Sequence, residues 1–138
     1  MAKVEFDMGD FGEQLEALGS RENIRRIVEA GSREAIRIDQ ERTEAYRHVV
    51  TRKLKESIRA GLFHEDLGKA WQYVYPQGTD ERGQSLYMIG YVIDQGRGKR
   101  KTKKTGDKFL TGHKKELEDA VGAAMKAEAE RILQEIMR

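Results

Sequence analysis

The residues with the densest chemical potential lie between Gln95 and Lys108, where Arg97, Lys99, Arg100, Lys101, Lys103, Lys104 and Lys108 stand against the single acid Asp107. That segment carries a net +6, which leaves about −4 on the rest of a chain whose overall charge is only +2. Such asymmetry points to a polyanion or an acidic protein surface as a neighbour. The segment has three readings: a solvated loop whose charge prevents self-association, a contact with nucleic-acid phosphates, and a dock for an acidic partner. No aromatic residue interrupts the run, so base stacking is not expected, and any contact with DNA is expected through the sugar-phosphate backbone. Gly96-Arg97-Gly98-Lys99 resembles a phosphate loop only superficially, because Arg100 stands where the Walker pattern requires a hydroxyl residue to hold magnesium.

Other chemistry is sparse. His48, His64 and His113 fall on separate elements without metal-ligand spacing, and His64-Glu65-Asp66 reads as a solvated loop. Serine-nucleophile motifs are absent. The expectation is therefore no catalytic residue, no metal and no cofactor. The chain has no cysteine, which removes disulfides and thiolate metal sites. It has no apolar run of about 18 residues and no signal-peptide pattern behind Met1, so a soluble, unexported protein without a membrane partner is expected.

The elements that must position the basic segment follow from periodicity. Residues 1–138 are expected to form one domain with the basic loop at 95–108. Val4, Phe6 and Met8 alternate with acids, which predicts a strand ended by Gly9, and Phe11, Leu15 and Leu18 predict a short amphipathic helix. Ser20 is a candidate N-cap for a long helix whose apolar stripe runs from Ile24 through Ile27, Val28, Ala35, Ile38 and Ile58 to Ala60-Gly61. Gly31-Ser32 either kinks or breaks that helix, or the helix runs through. Trp71, Tyr73 and Tyr75 predict a strand with an aromatic face, read as core in preference to a stacking platform. Residues 76–83 read as a turn-rich connection. Ser85–Asp94, apolar on both faces, reads as a second strand, either central or covered by helix on one side and a neighbouring subunit on the other. Thr111 is a candidate N-cap for a closing helix from about His113 to Met137. The small residues Ala120, Gly122, Ala123, Ala124 and Ala127 make that helix slim enough for close packing. The fold class is α+β: a three- or four-stranded antiparallel sheet packed against a long helix and a C-terminal helix.

Several local strings, taken in this order, resemble the phage neck and tail-completion family, whose members join heads to tails in long-tailed phages and prophages. Val4 to Phe11 with Leu15 and Leu18 looks like that family's opening strand and helix. Thr51-Arg-Lys-Leu-Lys-Glu-Ser57-Ile58 is similar to its segment at the end of the long helix. Tyr91-Val-Ile-Asp-Gln-Gly96 falls where the family has a strand ending in an acid, an aromatic and a glycine. Phe109-Leu110 falls where it has a phenylalanine-leucine pair before the last helix. Arg52 and Gln95 replace a usual glycine and a usual aromatic, and no proline precedes Phe109.

The resemblance implies a structural virion protein without catalysis, forming a homo-oligomeric ring in the neck that connects head to tail or completes the tail. Its implied partners are other neck proteins (adaptor or stopper), the tail terminator or tail tube, and DNA passing through the lumen. Its implied place is the virion, with host cytoplasm during assembly. A closed ring joins two different surfaces of neighbouring subunits, and Tyr91, Ile93, Phe109 and Leu110 are the candidate interface residues. Arg97, Lys99, Arg100, Lys101, Lys103 and Lys104 are the candidate contacts to DNA phosphate or to a docking partner. The competing readings are a small sequence-independent nucleic-acid-binding protein and, more weakly, an accessory subunit of an enzyme.

Overall fold

The computed structural model describes residues 2–7, 21–45, 52–66, 68–95 and 110–137. Its elements in chain order are β1 (Ala2–Asp7), α1 (Arg21–Ala45), α2 (Arg52–Ser57), β2 (Ile58–Ala60), β3 (His64–Asp66), β4 (Lys69–Pro76), α3 (Leu86–Gln95) and α4 (Lys114–Ile136). They form a four-stranded antiparallel sheet packed with the long helix α1 and the C-terminal helix α4, the α+β arrangement the periodicity predicts.

The central strand is β4. It pairs with β1 on one side, and with β2 and β3 on the other. β1 alternates as its sequence predicts, with Val4 and Phe6 buried against the helical layer. β4 also alternates, but Ala70, Gln72, Val74 and Pro76 are the buried set, and Trp71, Tyr73 and Tyr75 are half-buried on the opposite face. The aromatic face therefore corrects the expectation that it is core. Among the described residues His64 stacks on Trp71, Lys3 lies 5.1 Å above the Trp71 ring and 6.0 Å from the Tyr73 centroid, and Tyr87 meets Tyr75 edge-on.

Helix α1 runs unbroken through Gly31-Ser32. Both residues are buried, and each answers a neighbour. A Cβ on Gly31 would lie 2.7 Å from Met125 Cγ of α4 and 2.8 Å from Val4 Cγ1 of β1, so glycine is what lets three elements meet there. The Ser32 hydroxyl donates to Gln72 Oε1 at 2.7 Å, and the Gln72 amide donates onward to the Gly61 carbonyl at 3.2 Å. A buried hydroxyl and a buried amide thus satisfy each other between helix and sheet. The close approach comes from α1 and not, as expected, from the small residues of α4: Gly122 is exposed with open space around it.

α1 and α4 are antiparallel, their stripes meeting through Ile24, Ile27 and Val28 on one helix and Val121, Ala129 and Ile132 on the other. Fully burying side chains such as Ile27 and Val28 contributes about 1.5–3 kcal/mol each. Ion pairs mark both ends of the seam. Arg26 reaches Glu128 at 3.0 Å and Glu135 at 3.1 Å, and Arg42 reaches Glu116.

Two boundaries differ from the sequence reading. The helical stripe predicted to reach Ala60 ends at Ser57, whose carbonyl accepts from Gln77 N and whose hydroxyl donates to the Leu54 carbonyl. Ile58 then begins β2 opposite Pro76. Residues 86–95, expected to form a second strand, form α3 instead. Leu86, Gly90 and Asp94 are its buried positions, a spacing of four that one helix face satisfies and a pleated strand does not. Gly90 fits because a Cβ there would already be 3.3 Å from both Leu54 and Pro76. The predicted turn before it is present. Asp80 Oδ1 accepts from Arg82 N and Gln84 N, both at 2.9 Å, and Gly78 and Gly83 hold φ of 86° and 76°.

The expected helix over residues 10–19, Met8-Gly9 and the Ser20 cap lie outside the described residues. Replacing Gly31 with valine is expected to cost roughly 1–3 kcal/mol, because Met125 can swing aside but Val4 is held in the sheet. Urea unfolding measures it, and a variant as stable as the parent would contradict the packing assigned to this crossing.

Candidate functional site

The basic residues Arg97, Lys99, Arg100, Lys101, Lys103 and Lys104, together with Phe109, lie outside the described residues. The structure does describe the two ends of chain from which that segment departs and returns. Asp94, in the last turn of α3, is 2% exposed and takes hydrogen bonds from the far end of the segment. Its Oδ1 accepts from the backbone N–H of Leu110 and of Thr111, both at 3.0 Å. Its Oδ2 accepts from the Thr111 hydroxyl at 2.9 Å and from the Gln95 amide at 2.6 Å. The Gln95 amide also reaches Thr111 Oγ1 at 3.2 Å.

This is a clasp across 16 residues of chain. One carboxylate holds four donors and fixes Asp94 and Leu110-Thr111 beside one another, so the net +6 segment is tied at its base. Burial raises the carboxyl's pKa, but the hydrogen bonds from Thr111, Gln95 and Leu110 outweigh it and hold the group below the usual carboxylate value. Thr111 therefore serves the clasp and not, as expected, the helix cap. α4 starts at Lys114 after a turn over residues 110–113, with His113 at the cap position and no side-chain cap bond there.

Of the candidate interface residues, Tyr91 is 52% exposed, and Ile93 and Leu110 are half-buried. Met88 is exposed to the same degree as Tyr91 on the outer side of α3. Clasp and exposed apolar residues thus share one short helix. His64 is exposed, and His113 is half-buried, 3.9 Å from a Glu116 oxygen. Among the described residues no group of three or more His, Cys, Asp or Glu is placed to hold a metal ion, and no helix is long and apolar enough to cross a membrane.

A second acid was not singled out by sequence reasoning. Asp39 is 5% exposed on the buried face of α1 and lines a cleft of about 710 Å³ between β1, α1 and α4. Burial pushes its carboxyl up to about 7, the amino-terminal charge of the chain pulling the other way and Asp94 adding to the rise. The signal was present in the stripe, since Ile27, Gly31, Ala35, Asp39 and Thr43 recur every four residues and an acid interrupts them. Asp94 had the analogous signal in Leu86, Gly90 and Asp94, hidden by reading the segment as a strand.

No family model, curated protein or solved structure matches the chain.

The two acids should respond to pH with opposite signs. The folded pKa of Asp39 is raised, so stability is greatest below its unfolded value near 4 and falls as pH rises to about 7, by up to roughly 4 kcal/mol. Asp39→Asn should remove that slope and be the more stable protein at pH 8, as read by urea unfolding across pH. A parent curve flat between pH 4 and 7 would contradict the burial of this carboxyl. The pKa of Asp94 is depressed, so its contribution is present above its unfolded value near 4 and is lost only as pH falls below that. Asp94→Ala should cost roughly 2–4 kcal/mol at neutral pH, because several donors lose a charged acceptor together. A cost under about 0.5 kcal/mol would show that the clasp is not formed.

Proposed function

We propose that this protein is a structural component of a phage or phage-like particle that joins head to tail or completes the tail, assembling as a ring in the neck and acting without catalysis. The observation that carries the reading is the clasp around the basic segment: a net +6 stretch flanked by Asp94 on one side and by Leu110 and Thr111, which bond to Asp94, on the other, beside an α3 that exposes Tyr91 and Met88. The string resemblance supports it over most of the chain. The segment likened to the family's strand at Tyr91–Gly96 is helical through Gln95 here, so that string lends the resemblance no support.

In a ring, each subunit offers two different surfaces to its neighbours. The outer side of α3, with Tyr91 and Met88, is one of them. In this reading the charge of the basic segment serves to attract DNA in the lumen or the acidic face of an adjoining neck or tail protein. Phosphate attraction suits a lumen, since it is strong, salt-dependent and indifferent to sequence. The second reading, a free nucleic-acid-binding protein, rests on the same segment and differs in needing no ring.

Neutralising Lys99, Arg100, Lys101, Lys103 and Lys104 to glutamine should leave the melting temperature within about 2 °C, because surface substitutions rarely shift stability by more than ~0.5 kcal/mol. The same variant should fail to restore joined particles when it replaces the parent protein in the particle-producing host. Joined, DNA-filled particles at parental yield would overturn a role for the segment in joining. Loss of salt-dependent DNA binding by the isolated protein, with particle yield unchanged, would favour the second reading.

A further inference from the structure

β1 pairs with β4 along one edge, and among the described residues no strand pairs with its other edge. Such an edge is a template for a further strand, and proteins usually blunt it with a proline, a bulge or a charge that a neighbouring strand would leave unmatched. β1 contains no proline, and its register with β4 runs from Ala2 opposite Val74 to Asp7 opposite Lys69 without a skipped residue. Its charges all lie on the face away from the helices: Lys3 and Glu5 stand opposite Tyr73 and Trp71, and Val4 and Phe6 are the buried set. The helical layer also leaves room against this strand. The cleft between β1, α1 and α4 reaches Ala2 to Glu5, and its walls are mainly apolar. Gly122 of α4 lines it too, with nothing within 4 Å of where a Cβ would stand.

The charge pattern of β1 selects a second copy of the chain as the occupant. A two-fold axis normal to the sheet runs two copies of β1 antiparallel and keeps both helical layers on one side. Residues directly opposite then share a face, so only registers whose paired residue numbers add to an even sum are allowed. Sums of six, ten and twelve set Lys3 on Lys3, Glu5 on Glu5 and Glu5 on Asp7, and like charges directly opposite are destabilising. A sum of eight sets Lys3 on Glu5 twice and Val4 on Val4, with no like charges opposite. Lys3 already meets Glu5 of its own strand at 2.9 Å. The four side chains therefore form a checkerboard in which every nearest neighbour, along the strand and across it, has the opposite sign. We propose that β1 pairs in this register with β1 of a second copy, joining two four-stranded sheets into one about a two-fold axis between the Val4 residues. This surface is not the α3 face assigned to the ring, so the inference stands apart from the neck reading and holds or fails without it.

The test is the mass of the full chain by sedimentation equilibrium, for the parent, for Lys3→Glu and for Glu5→Lys. The parent is expected to dimerise, and each reversal, which puts four like charges on the checkerboard, should weaken the dimer at least tenfold. Mixing the two variants in equal amounts should restore it, because an acidic strand then faces a basic one. If the parent assembles beyond two copies, either reversal should halve the mass. Glu5→Lys also brings a lysine beside Lys69, so a thermal melt by circular dichroism checks that each variant folds. A second readout leaves the charge pairs intact. The chain has no cysteine, so Val4→Cys should cross-link to its own copy under mild oxidation faster than Lys3→Cys or Glu5→Cys. This series decides the matter where a charge reversal fails to fold. A parent that stays monomeric up to millimolar concentration, a dimer indifferent to both reversals, or fastest cross-linking through residue 3 or 5 would overturn the proposal, and none of these results bears on whether the protein joins particles.

Discussion

A single helix has to bury itself against two partners at once, and the rest of the structure depends on how α1 does so. Its one stripe faces both the sheet, through Val4, Phe6 and Val74, and α4, through Val121, Met125 and Ile132. Three elements can share that crossing only where a side chain is missing, and Gly31 is the place. The about 1 kcal/mol that glycine costs inside a helix is offset by the packing it permits. Ser32, next to it, turns the same crossing into a polar anchor through Gln72 and so ties the helix to the central strand. The Arg42–Glu116 pair, largely exposed, contributes little by itself, whereas Arg26 meets the buried carboxylate of Glu128, and together they fix which turn of α4 lies over which turn of α1.

With α1 fixed, the sites follow from its edges. α4 is held antiparallel to it, so the start of α4 returns to the end of α3. There Asp94 gathers Leu110 and Thr111, closing the base of the basic segment. The same arrangement leaves β1 as an edge strand and opens the cleft into which Asp39 faces. Two acids of one cleft region thereby take opposite states. Burial raises both carboxyls, but at Asp94 the hydrogen bonds from Thr111, Gln95 and Leu110 outweigh it, whereas at Asp39 burial prevails and the group is easily protonated.

Much of this was legible in the sequence where periodicity is strong. β1, β4, the body of α1 and α4 follow from alternation of two or a spacing near 3.6, and the Pro76–Gly83 turn from its glycines and Asp80. The misreadings have physical causes. Leu86–Asp94 is apolar nearly throughout, and a run without polar punctuation does not separate a buried strand from a helix; Ser85 before it and the Leu86-Gly90-Asp94 spacing were the weaker and correct signals. On β4, residue size pointed to the wrong face. Gln72 and Pro76 look like surface residues and are buried, because one meets Ser32 and the other sits under Gly90. The spacing of four marks Asp39 and Asp94 as buried positions, but that Asp94 gathers Leu110 and Thr111 depends on residues 16 and 17 positions away, which no local pattern contains.

The proposed joining of heads to tails is tested most directly by imaging particles made without this protein. Negative-stain microscopy of lysates from a host whose particle genes lack only this one should show DNA-filled heads and finished tails lying separate, restored to joined particles by the parent gene. Complete, joined particles in the absence of the protein would contradict the account.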